Sequence, residues 1–373
     1  MAERLLEAIG LNAAYAGYDG REVQAVDNCS VYIDEGEILG VAGESGCGKS
    51  TLGAVLSLTT RPPLYVKSGT LRIDGKEQEL GHGVKIPREW RGEVVSLLPQ
   101  GALNSLSYTA KISSLVVDVM RAHDPSIKKD EALDRARDRM KAVGLPPRAL
   151  DSYPHQLSGG MKQRVITIIS TLLNPRLLIA DEPTSALDVS SQRALVEMLR
   201  EMLNQRIMAG VIFITHDLPL LKSISDRIAV MYAGQIVEVG AAETIAERPW
   251  HPYSAALLNA VLAPEPETLT KKVFAIQGSP PSLVAPPPGC RFHPRCGLEM
   301  DICSEKEPSP RGDHMRYSKC WWTQQNPTTP INLDDVLGFK AKIDDVRDES
   351  LVAAIDHVAG PVVTAEAPTK EVS

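Results

Sequence analysis

The sequence predicts an α/β fold in which short apolar strands end in polar loops. Three stretches carry this prediction, because each places a short apolar run directly before glycines, carboxylates or another polar side chain: residues 37–42, 177–180 and 211–214. Runs of this length, bounded by turn signals, are typical of buried strands. The polar residues that follow the three strands are therefore the first candidates for a functional site.

The first strand leads into a phosphate-binding loop. Residues 43–51 fit the pattern G-x-x-x-x-G-K-[ST], and residues 52–58 can continue as a helix. Glycines let successive backbone N–H groups turn inward, and the helix N-terminus adds partial positive charge, so the loop can hold phosphates. Lys49 can reach the outer phosphates, and the Ser50 hydroxyl can coordinate Mg²⁺. The predicted nucleotide-binding residues of this loop are Gly43, Ser45, Gly46, Cys47, Gly48, Lys49, Ser50 and Thr51.

Further motifs narrow the kind of nucleotide-binding protein. Residues 157–164 read Leu-Ser-Gly-Gly-Met-Lys-Gln-Arg. Asp181 and Glu182 end the second strand, and His216 follows the third. With the phosphate loop, this order resembles the ATP-binding subunits of ABC transporters, whose signature motif the Leu-Ser-Gly-Gly stretch matches. The resemblance covers roughly residues 5–325 and implies an α/β P-loop NTPase (ABC ATPase) core with a β-subdomain, an inserted helical subdomain and a Cys-rich C-terminal extension.

The resemblance also implies how ATP is hydrolysed. Glu182 would be the general base, and His216 would contact the γ-phosphate and steady the attacking water. Taken alone, Glu182 has a simpler interpretation as a solvated acid and His216 as a satisfied core imidazole, and the surrounding motifs favour the catalytic roles. Gln100 follows a predicted strand at 94–98 and resembles the Q-loop glutamine, which touches Mg²⁺ or the attacking water; a surface glutamine is its alternative. The implied Mg²⁺ ligands are Ser50, Asp181 and, at second hand, Gln100.

The family usually stacks an aromatic ring from its first strand on the adenine of ATP. Tyr15 and Tyr18 both precede the phosphate loop. Alignment from Leu11 favours Tyr15, with residues 16–20 as an extra turn, and Tyr18 is the alternative. Local packing of either ring is the interpretation that needs no ligand.

The signature motif implies a dimer. In this family the motif faces the ATP held by the opposite subunit, so a complete site needs a second ABC ATPase subunit, either a copy of this chain or a paralogue. The backbone N–H groups that open the helix after the motif suit an anion. The residues expected at this interface are Ser158, Gly159, Gly160 and Asp188.

The last third of the chain indicates a subgroup of the family. A proline-rich linker at 278–289 precedes residues 289–296, which are similar to the C-terminal extension of oligopeptide, dipeptide and nickel importer ATPases. Four of the six cysteines fall within 31 residues, and in an intracellular chain this favours a metal over disulfides. The resemblance implies a [4Fe-4S] cluster, and zinc on the same thiolates is the rival, although paired C-x2-C knuckles are missing. Free thiols are the third alternative. The expected ligands are Cys290, Cys296, Cys303 and Cys320.

Charge and hydropathy exclude two kinds of protein. The net charge of −7 is concentrated after residue 330, and the rest of the chain gives no electrostatic footprint for nucleic acid. No apolar run reaches the roughly 18–20 residues that span a bilayer, and the first residues lack a secretory signal. We therefore expect an intracellular chain that forms no membrane pathway alone, and the resemblance to importer ATPases implies a peripheral subunit on the cytoplasmic face of a prokaryotic membrane.

Such a subunit needs partners. The resemblance implies two integral membrane permease subunits and an extracytoplasmic solute-binding protein, which together would import a peptide, an oligosaccharide or nickel. The alternative is a soluble ABC ATPase in DNA or ribosome processing, which the single set of motifs and the absence of a basic stripe disfavour.

We predict four parts along the chain. The ATP-binding core, with its antiparallel β-subdomain, takes residues 1–100 and 161–245. A helical subdomain that ends in the signature motif takes residues 101–160. The extension with its four-cysteine site takes residues 246–326, and an acidic, mobile tail takes residues 327–373.

Overall fold

The computed structural model describes residues 4–17, 20–101, 106–185, 187–260 and 276–336. The described strands, in chain order, are β1 (Arg4–Ala16), β2 (Glu22–Asp34), β3 (Ile38–Ala42), β4 (Leu64–Ile73), β5 (Lys76–Gly81), β6 (Val95–Leu98), β7 (Leu177–Asp181), β8 (Gly210–Ile214), β9 (Arg227–Tyr232), β10 (Gln235–Ala241), β11 (Arg311–Gly312) and β12 (Tyr317–Ser318). They form an antiparallel four-stranded sheet in the order β2–β1–β4–β5 and an eight-stranded sheet in the order β11–β12–β10–β9–β3–β8–β7–β6.

The centre of the larger sheet is parallel. Strands β9, β3, β8, β7 and β6 pair in parallel, and Ile214 at the end of β8 lies opposite both Val41 on β3 and Asp181 on β7. The loops that follow β3, β7 and β8 therefore open at the same edge of the sheet, where ligands of α/β folds bind. The prediction of an α/β fold with buried strands is confirmed.

Alternate residues of β8 face two different cores. Val211 and Phe213 pack with the apolar side chains of the helices, whereas Ile212 and Ile214 pack with those of the antiparallel sheet. All four side chains are buried. Because side chains alternate across a strand, the parallel sheet is covered on both faces, which is why its strands are continuous apolar runs in the sequence.

The helices surround this sheet, and two of the sequence motifs fix where a helix begins. Ser158 accepts a hydrogen bond from the N–H of Met161, and Asp188 accepts one from Ser191, so each caps the helix that follows it. The described helices are α1 (Lys49–Leu56), α2 (Ile112–His123), α3 (Lys129–Ala142), α4 (Gly159–Thr171), α5 (Val189–Asn204), α6 (Leu218–Ile224), α7 (Ala242–Glu247), α8 (Pro252–Asn259), α9 (Asp301–Glu305), α10 (Trp321–Gln325) and α11 (Leu333–Val336). Helices α2 and α3 fall within residues 101–160, where the sequence predicts a helical subdomain.

The C-terminal extension is continuous with the larger sheet. Strand β12 pairs with β10, with Tyr317 opposite Val239. Arg227 on β9 forms a buried ion pair with Glu37 and also donates to the His314 carbonyl of the extension, at 3.1 Å. The extension is therefore packed as part of the core.

Residues 327–336, which the sequence analysis assigns to a mobile tail, belong to the folded extension. Helix α11 packs against α8, and Val336 is buried beside Ala256. The N–H of Gly297 donates to the Val336 carbonyl, and a Cβ at Gly297 would lie 2.1 Å from the Asp335 carbonyl oxygen, so the chain can approach this closely only at a glycine. The rest of the expected tail, residues 337–373, lies outside the described residues.

Candidate nucleotide-binding site

The phosphate-binding loop joins β3 to α1 at the carboxyl edge of the parallel sheet. Lys49 is buried, and its Nζ donates to the carbonyl oxygens of Gly43 at 2.7 Å and Glu44 at 3.0 Å. Gly48 has a φ of 107°, and a Cβ there would lie 2.1 Å from the Ala25 carbonyl oxygen, so the pattern's second glycine is a steric requirement. The loop is thus curled around the lysine that the sequence assigns to the phosphates.

The structure brings Ser50 against Asp181, although the two lie 131 residues apart in the sequence. The Ser50 hydroxyl donates to a carboxylate oxygen of Asp181 at 3.1 Å. Burial raises the pKa of Asp181 above its ordinary value, and the charge of Glu182 adds to this, against the Ser50 hydrogen bond. A desolvated carboxylate beside a hydroxyl is a donor set that suits a hard divalent cation such as Mg²⁺.

A second pair lies beside the first. The Nδ1 atom of His216 lies 2.9 Å from Oε1 of Glu182. The Glu182 side chain is 11% exposed and that of His216 is 65% exposed, so the pair runs from the core edge to the surface. Glu182 has a φ of 47°, which is uncommon for a residue other than glycine and occurs where surrounding structure holds the backbone, often at functional sites. Its N–H still donates to Ile214 at 2.9 Å, which fixes the bend at the strand end.

Tyr15 also reaches this region. It is half-buried at the end of β1, and its hydroxyl lies 3.0 Å from the Thr51 hydroxyl in the first turn of α1. Tyr18, the alternative for stacking on adenine, lies outside the described residues. Gln100 is exposed and follows β6, whose Leu98 pairs with Ala180 of β7, so it leaves the sheet at the same edge as Asp181.

The signature residues form a separate surface with Asp188. Ser158, Gly159 and Asp188 are exposed, and a Cβ at Gly160 would lie 3.6 Å from the Ser191 hydroxyl, so the first turns of α4 and α5 are neighbours. Hydrogen bonds from the side chain of Ser190 and from Ser191 hold the pKa of Asp188 well below its usual range. The adjacent Val189 is 82% exposed. Two helix N-termini and an apolar side chain therefore lie together at the surface.

Two residues that the sequence analysis did not single out contact the phosphate-binding loop. Tyr253, 209 residues after Glu44, accepts a hydrogen bond from the Glu44 N–H at 2.8 Å. Arg295, 251 residues after Glu44, binds both oxygens of its carboxylate, at 2.7 and 3.0 Å. These contacts could not be predicted from the sequence, because nothing in the local sequence of either residue relates it to the loop.

The four cysteines of the extension lie near one another. Cys303 and Cys320 are buried, Cys290 and Cys296 are half-buried, and the Cys290 N–H donates to the Cys303 carbonyl at 2.8 Å. Burial raises the pKa of Cys290 to about 12, and the Cys320 and Cys303 thiols add to the effect. The pKa of Cys296 is raised by burial and by the other three thiols. Within the described ranges, however, no group of three or more His, Cys, Asp or Glu side chains could hold a metal ion as placed, so a metal at these cysteines stays a prediction.

The other two cysteines are packed in the core. Cys29 on β2 and Cys47 in the phosphate-binding loop are both buried, and burial raises the pKa of each thiol. In the part of the chain that the structure describes, no helix combines the length and the apolar character needed to cross a membrane.

Comparison with known protein families gives two matches. Residues 26–185 match the family described as ABC transporter, and residues 237–303 match the family described as oligopeptide/dipeptide transporter, C-terminal region.

Similar curated proteins cover most of this chain. A dipeptide transport ATP-binding protein of Caldanaerobacter subterraneus is 39% identical over 305 residues, which is 80% of this chain and 90% of the relative. An oligopeptide transport ATP-binding protein of Bacillus subtilis is 38% identical over 322 residues, 85% of this chain and 88% of the relative. Among solved structures, a dimeric bacterial ABC transporter cassette aligns with a TM-score of 0.54 at 22% identity, over 64% of this chain and 99% of that chain. This last similarity concerns the fold alone.

Proposed function

This chain belongs to the ABC transporter ATP-binding proteins, in the group with the oligopeptide/dipeptide C-terminal region, and on that premise we propose that it hydrolyses ATP to drive peptide import. One observation carries the proposal at the level of the site. The loop lysine and serine lie at the same sheet edge as the pair of Glu182 and His216, so phosphate-binding and catalytic groups converge. The subunit would lie at the cytoplasmic face of a prokaryotic membrane.

We assign the chemistry of the site as follows. Gly43, Lys49 and the N-terminus of α1 bind the phosphates, because the sequence pattern combines backbone N–H groups, a lysine and a helix start at this loop. Glu182 orients and deprotonates the attacking water, and its contact with His216 at 2.9 Å supports a shared position beside the γ-phosphate. The remaining residues of the nucleotide site are Ser45, Gly46, Cys47, Gly48, Ser50, Thr51, Gln100 and Tyr15.

Mg²⁺ fits the oxygen donors that are present. Ser50 and Asp181 would hold the ion directly, and Gln100 would contribute to its binding indirectly. When bound, Mg²⁺ would neutralise the negative charge that develops on the phosphates during phosphoryl transfer. The raised pKa of Asp181 supports this assignment, since a buried carboxylate is stabilised by a cation.

We propose that two ATPase subunits enclose the nucleotide, with Ser158, Gly159, Gly160 and Asp188 of one facing the ATP of the other. The exposure of Ser158, Gly159, Asp188 and Val189 supports such an interface, because an apolar side chain of the size of Val189 gains from burial. The second subunit would be a copy of this chain or a paralogue.

The membrane partners follow from the proposed role. Two integral permease subunits would form the pathway, and an extracytoplasmic binding protein would select the cargo. Peptides are favoured over oligosaccharides and nickel, because the two curated relatives named above carry dipeptide and oligopeptide transport in their names. The same relatives give no support to a role in DNA or ribosome processing.

Uptake by cells tests the function. Removing this subunit from its host should abolish uptake of a labelled di- or oligopeptide, and the wild-type chain should restore it. The variant Glu182→Gln should not restore uptake although it is present at the membrane. Peptide uptake that is unchanged by loss of the chain, or fractionation of the chain with ribosomes or DNA, would contradict the proposal.

We further propose that Cys290, Cys296, Cys303 and Cys320 bind a [4Fe-4S] cluster. The four cysteines lie near one another in the extension, where the Cys290 N–H donates to the Cys303 carbonyl at 2.8 Å, and this proximity supports a common ligand. Zinc on the same four thiolates is the rival. We favour the cluster, because the paired C-x2-C knuckles that are usual in structural zinc sites are missing from the sequence. Bound there, it would tie together a proline-rich segment with few apolar residues.

Metal analysis of anaerobically purified protein tests the cluster. Wild type should be brown and contain about four irons per chain. Cys290→Ser should deplete the iron, whereas Cys29→Ser, a buried cysteine on β2, is the matched control and should not. Stoichiometric zinc without iron would contradict the cluster and leave a metal site in place.

A further inference from the structure

Every polar group of Glu44, the second residue of the phosphate-binding loop, is held by a named partner. Its N–H donates to the Tyr253 hydroxyl at 2.8 Å, and its carbonyl accepts from Lys49 at 3.0 Å. Both oxygens of its carboxylate accept from Arg295. Two of these three partners come from the C-terminal extension, more than 200 residues after the loop. The conformation of the loop at this residue is therefore set in part by the C-terminal extension.

The side chain of Arg295 is held in one position by burial and hydrogen bonds. Its side chain is 5% exposed, and all five of its N–H donors have an acceptor. Two bind Glu44 in a bidentate arrangement, and the others reach the Tyr232 hydroxyl at 3.3 Å, the Gln277 carbonyl at 2.8 Å and the Gly278 carbonyl at 3.4 Å. A planar guanidinium that is satisfied on every side has one orientation, so it holds the carboxylate rigidly.

Tyr253 is equally fixed. It is fully buried in the first turn of α8, and its ring centroid lies 4.5 Å from that of Tyr232 and 5.4 Å from that of Phe292. Phe292 belongs to the same cysteine-rich stretch as Arg295. The Tyr253 hydroxyl, which accepts the hydrogen bond from the Glu44 N–H, is thus held in place by an aromatic cluster to which both the core and the extension contribute.

We propose that Arg295 and Tyr253 are positioning residues for the phosphate-binding loop, so that the extension completes the nucleotide site of its own chain. The inference rests on the proposed function, since it assigns these residues to ATP binding. Lys49 donates to the carbonyls of Gly43 and Glu44, and fixing Glu44 therefore fixes the groups around the lysine before ATP arrives. A loop that is ordered in advance spends less binding free energy on its own ordering.

ATP affinity of the full chain tests the proposal. The dissociation constant for ATP should rise about tenfold in Arg295→Met, which corresponds to about 1.4 kcal/mol of binding free energy. Tyr253→Phe keeps the ring packing and removes only the hydroxyl, and it should weaken ATP binding in the same direction. Turnover at saturating ATP should largely recover in both variants, because neither residue touches the reacting atoms.

A double-mutant cycle identifies the loop residue through which Arg295 acts. Glu44→Gln should also weaken ATP binding, and adding Arg295→Met to it should cause little further loss, since both changes break the same ion pair. Additive losses in the double variant would overturn the proposed pairing.

Arg316→Met is the matched control. Arg316 belongs to the same extension and stacks on Trp250 with 3.7 Å between its guanidinium carbon and the ring centroid, away from the loop. It should lower thermal stability without changing ATP affinity. An equal loss of affinity in Arg316→Met, or wild-type affinity in folded Arg295→Met and Tyr253→Phe, would overturn the proposal. If Arg295→Met does not fold, Tyr253→Phe decides. Failure of the wild-type chain itself to bind ATP would instead overturn the proposed function.

Discussion

Glu238 offers a sharp test of how α8, which carries Tyr253, is held on the sheet. The carboxylate is fully buried on β10 and accepts hydrogen bonds from the N–H groups of Trp250 at 2.6 Å and His251 at 2.9 Å. Burial raises the pKa of Glu238 from 4.5 to about 7, against the lowering effect of these hydrogen bonds. We expect Glu238→Gln to change the pH dependence of stability, because the amide oxygen can still accept a hydrogen bond while the side chain no longer titrates.

The sign and size of the change follow from proton linkage. Between pH 4.5 and 7 the folded chain retains a proton on Glu238 that the unfolded chain has lost, so the free energy of unfolding falls as pH rises. Each pKa unit corresponds to about 1.4 kcal/mol, and the whole interval therefore to about 3 kcal/mol. In Glu238→Gln the free energy of unfolding does not show this decrease with pH, because the amide does not titrate. The difference in unfolding free energy, variant minus wild type, should accordingly rise by about 3 kcal/mol across the interval.

Titration of His251 changes the free energy of unfolding in the opposite direction and masks the effect of Glu238 in the wild type. Burial lowers its pKa from 6.5 to about 3, so its contribution to the free energy of unfolding rises with pH between those values. Where the two intervals overlap, the contributions of Glu238 and His251 largely cancel. In His251→Asn, which keeps an acceptor for the N–H of Tyr253, the difference from wild type should fall with pH.

Urea denaturation of the nucleotide-free full chain, followed by tryptophan fluorescence at pH 5, 6 and 7, measures both differences. Comparison of each variant with wild type at the same pH removes the contribution of every other titrating group. A difference for Glu238→Gln that stays constant within about 0.5 kcal/mol over this range would refute the argument, since it would mean that the buried carboxyl titrates alike in both states.

Three further changes test the site and the core. Glu182→Gln should retain ATP binding and lower kcat by about 100- to 10,000-fold, because the amide cannot accept the proton, and near-wild-type turnover with the transporter partners would exclude Glu182 as the base. Lys49→Ala should weaken ATP binding itself, measured by equilibrium titration; unchanged affinity would remove Lys49 from the phosphate site. Glu37→Ala leaves Arg227 buried without its partner and should cost about 3–5 kcal/mol in urea denaturation, whereas a cost below about 1 kcal/mol would show that the ion pair is not desolvated as the structure indicates.

The sequence by itself determined the parts of the protein whose physics is local. The phosphate-binding loop needs glycines, a lysine and a helix start in contiguous order, and residues 43–51 supply all of them. The apolar runs that became β3, β7 and β8 need only their own composition to indicate burial. Ser158 and Asp188 cap the helices that directly follow them, which is again a contact over three residues.

The tertiary structure decided which distant residues meet, because the order of strands in a sheet is set by packing between segments. Ser50 reaches Asp181 because α1 lies against β7, and His216 reaches Glu182 because β8 lies beside β7. The contact of Arg295 with the phosphate-binding loop could not be predicted, since nothing in the local sequence of Glu44 or of Arg295 relates the two residues. The same holds for residues 327–336, whose acidic neighbours indicated a tail, because the burial of Val336 depends on its packing beside Ala256 of α8.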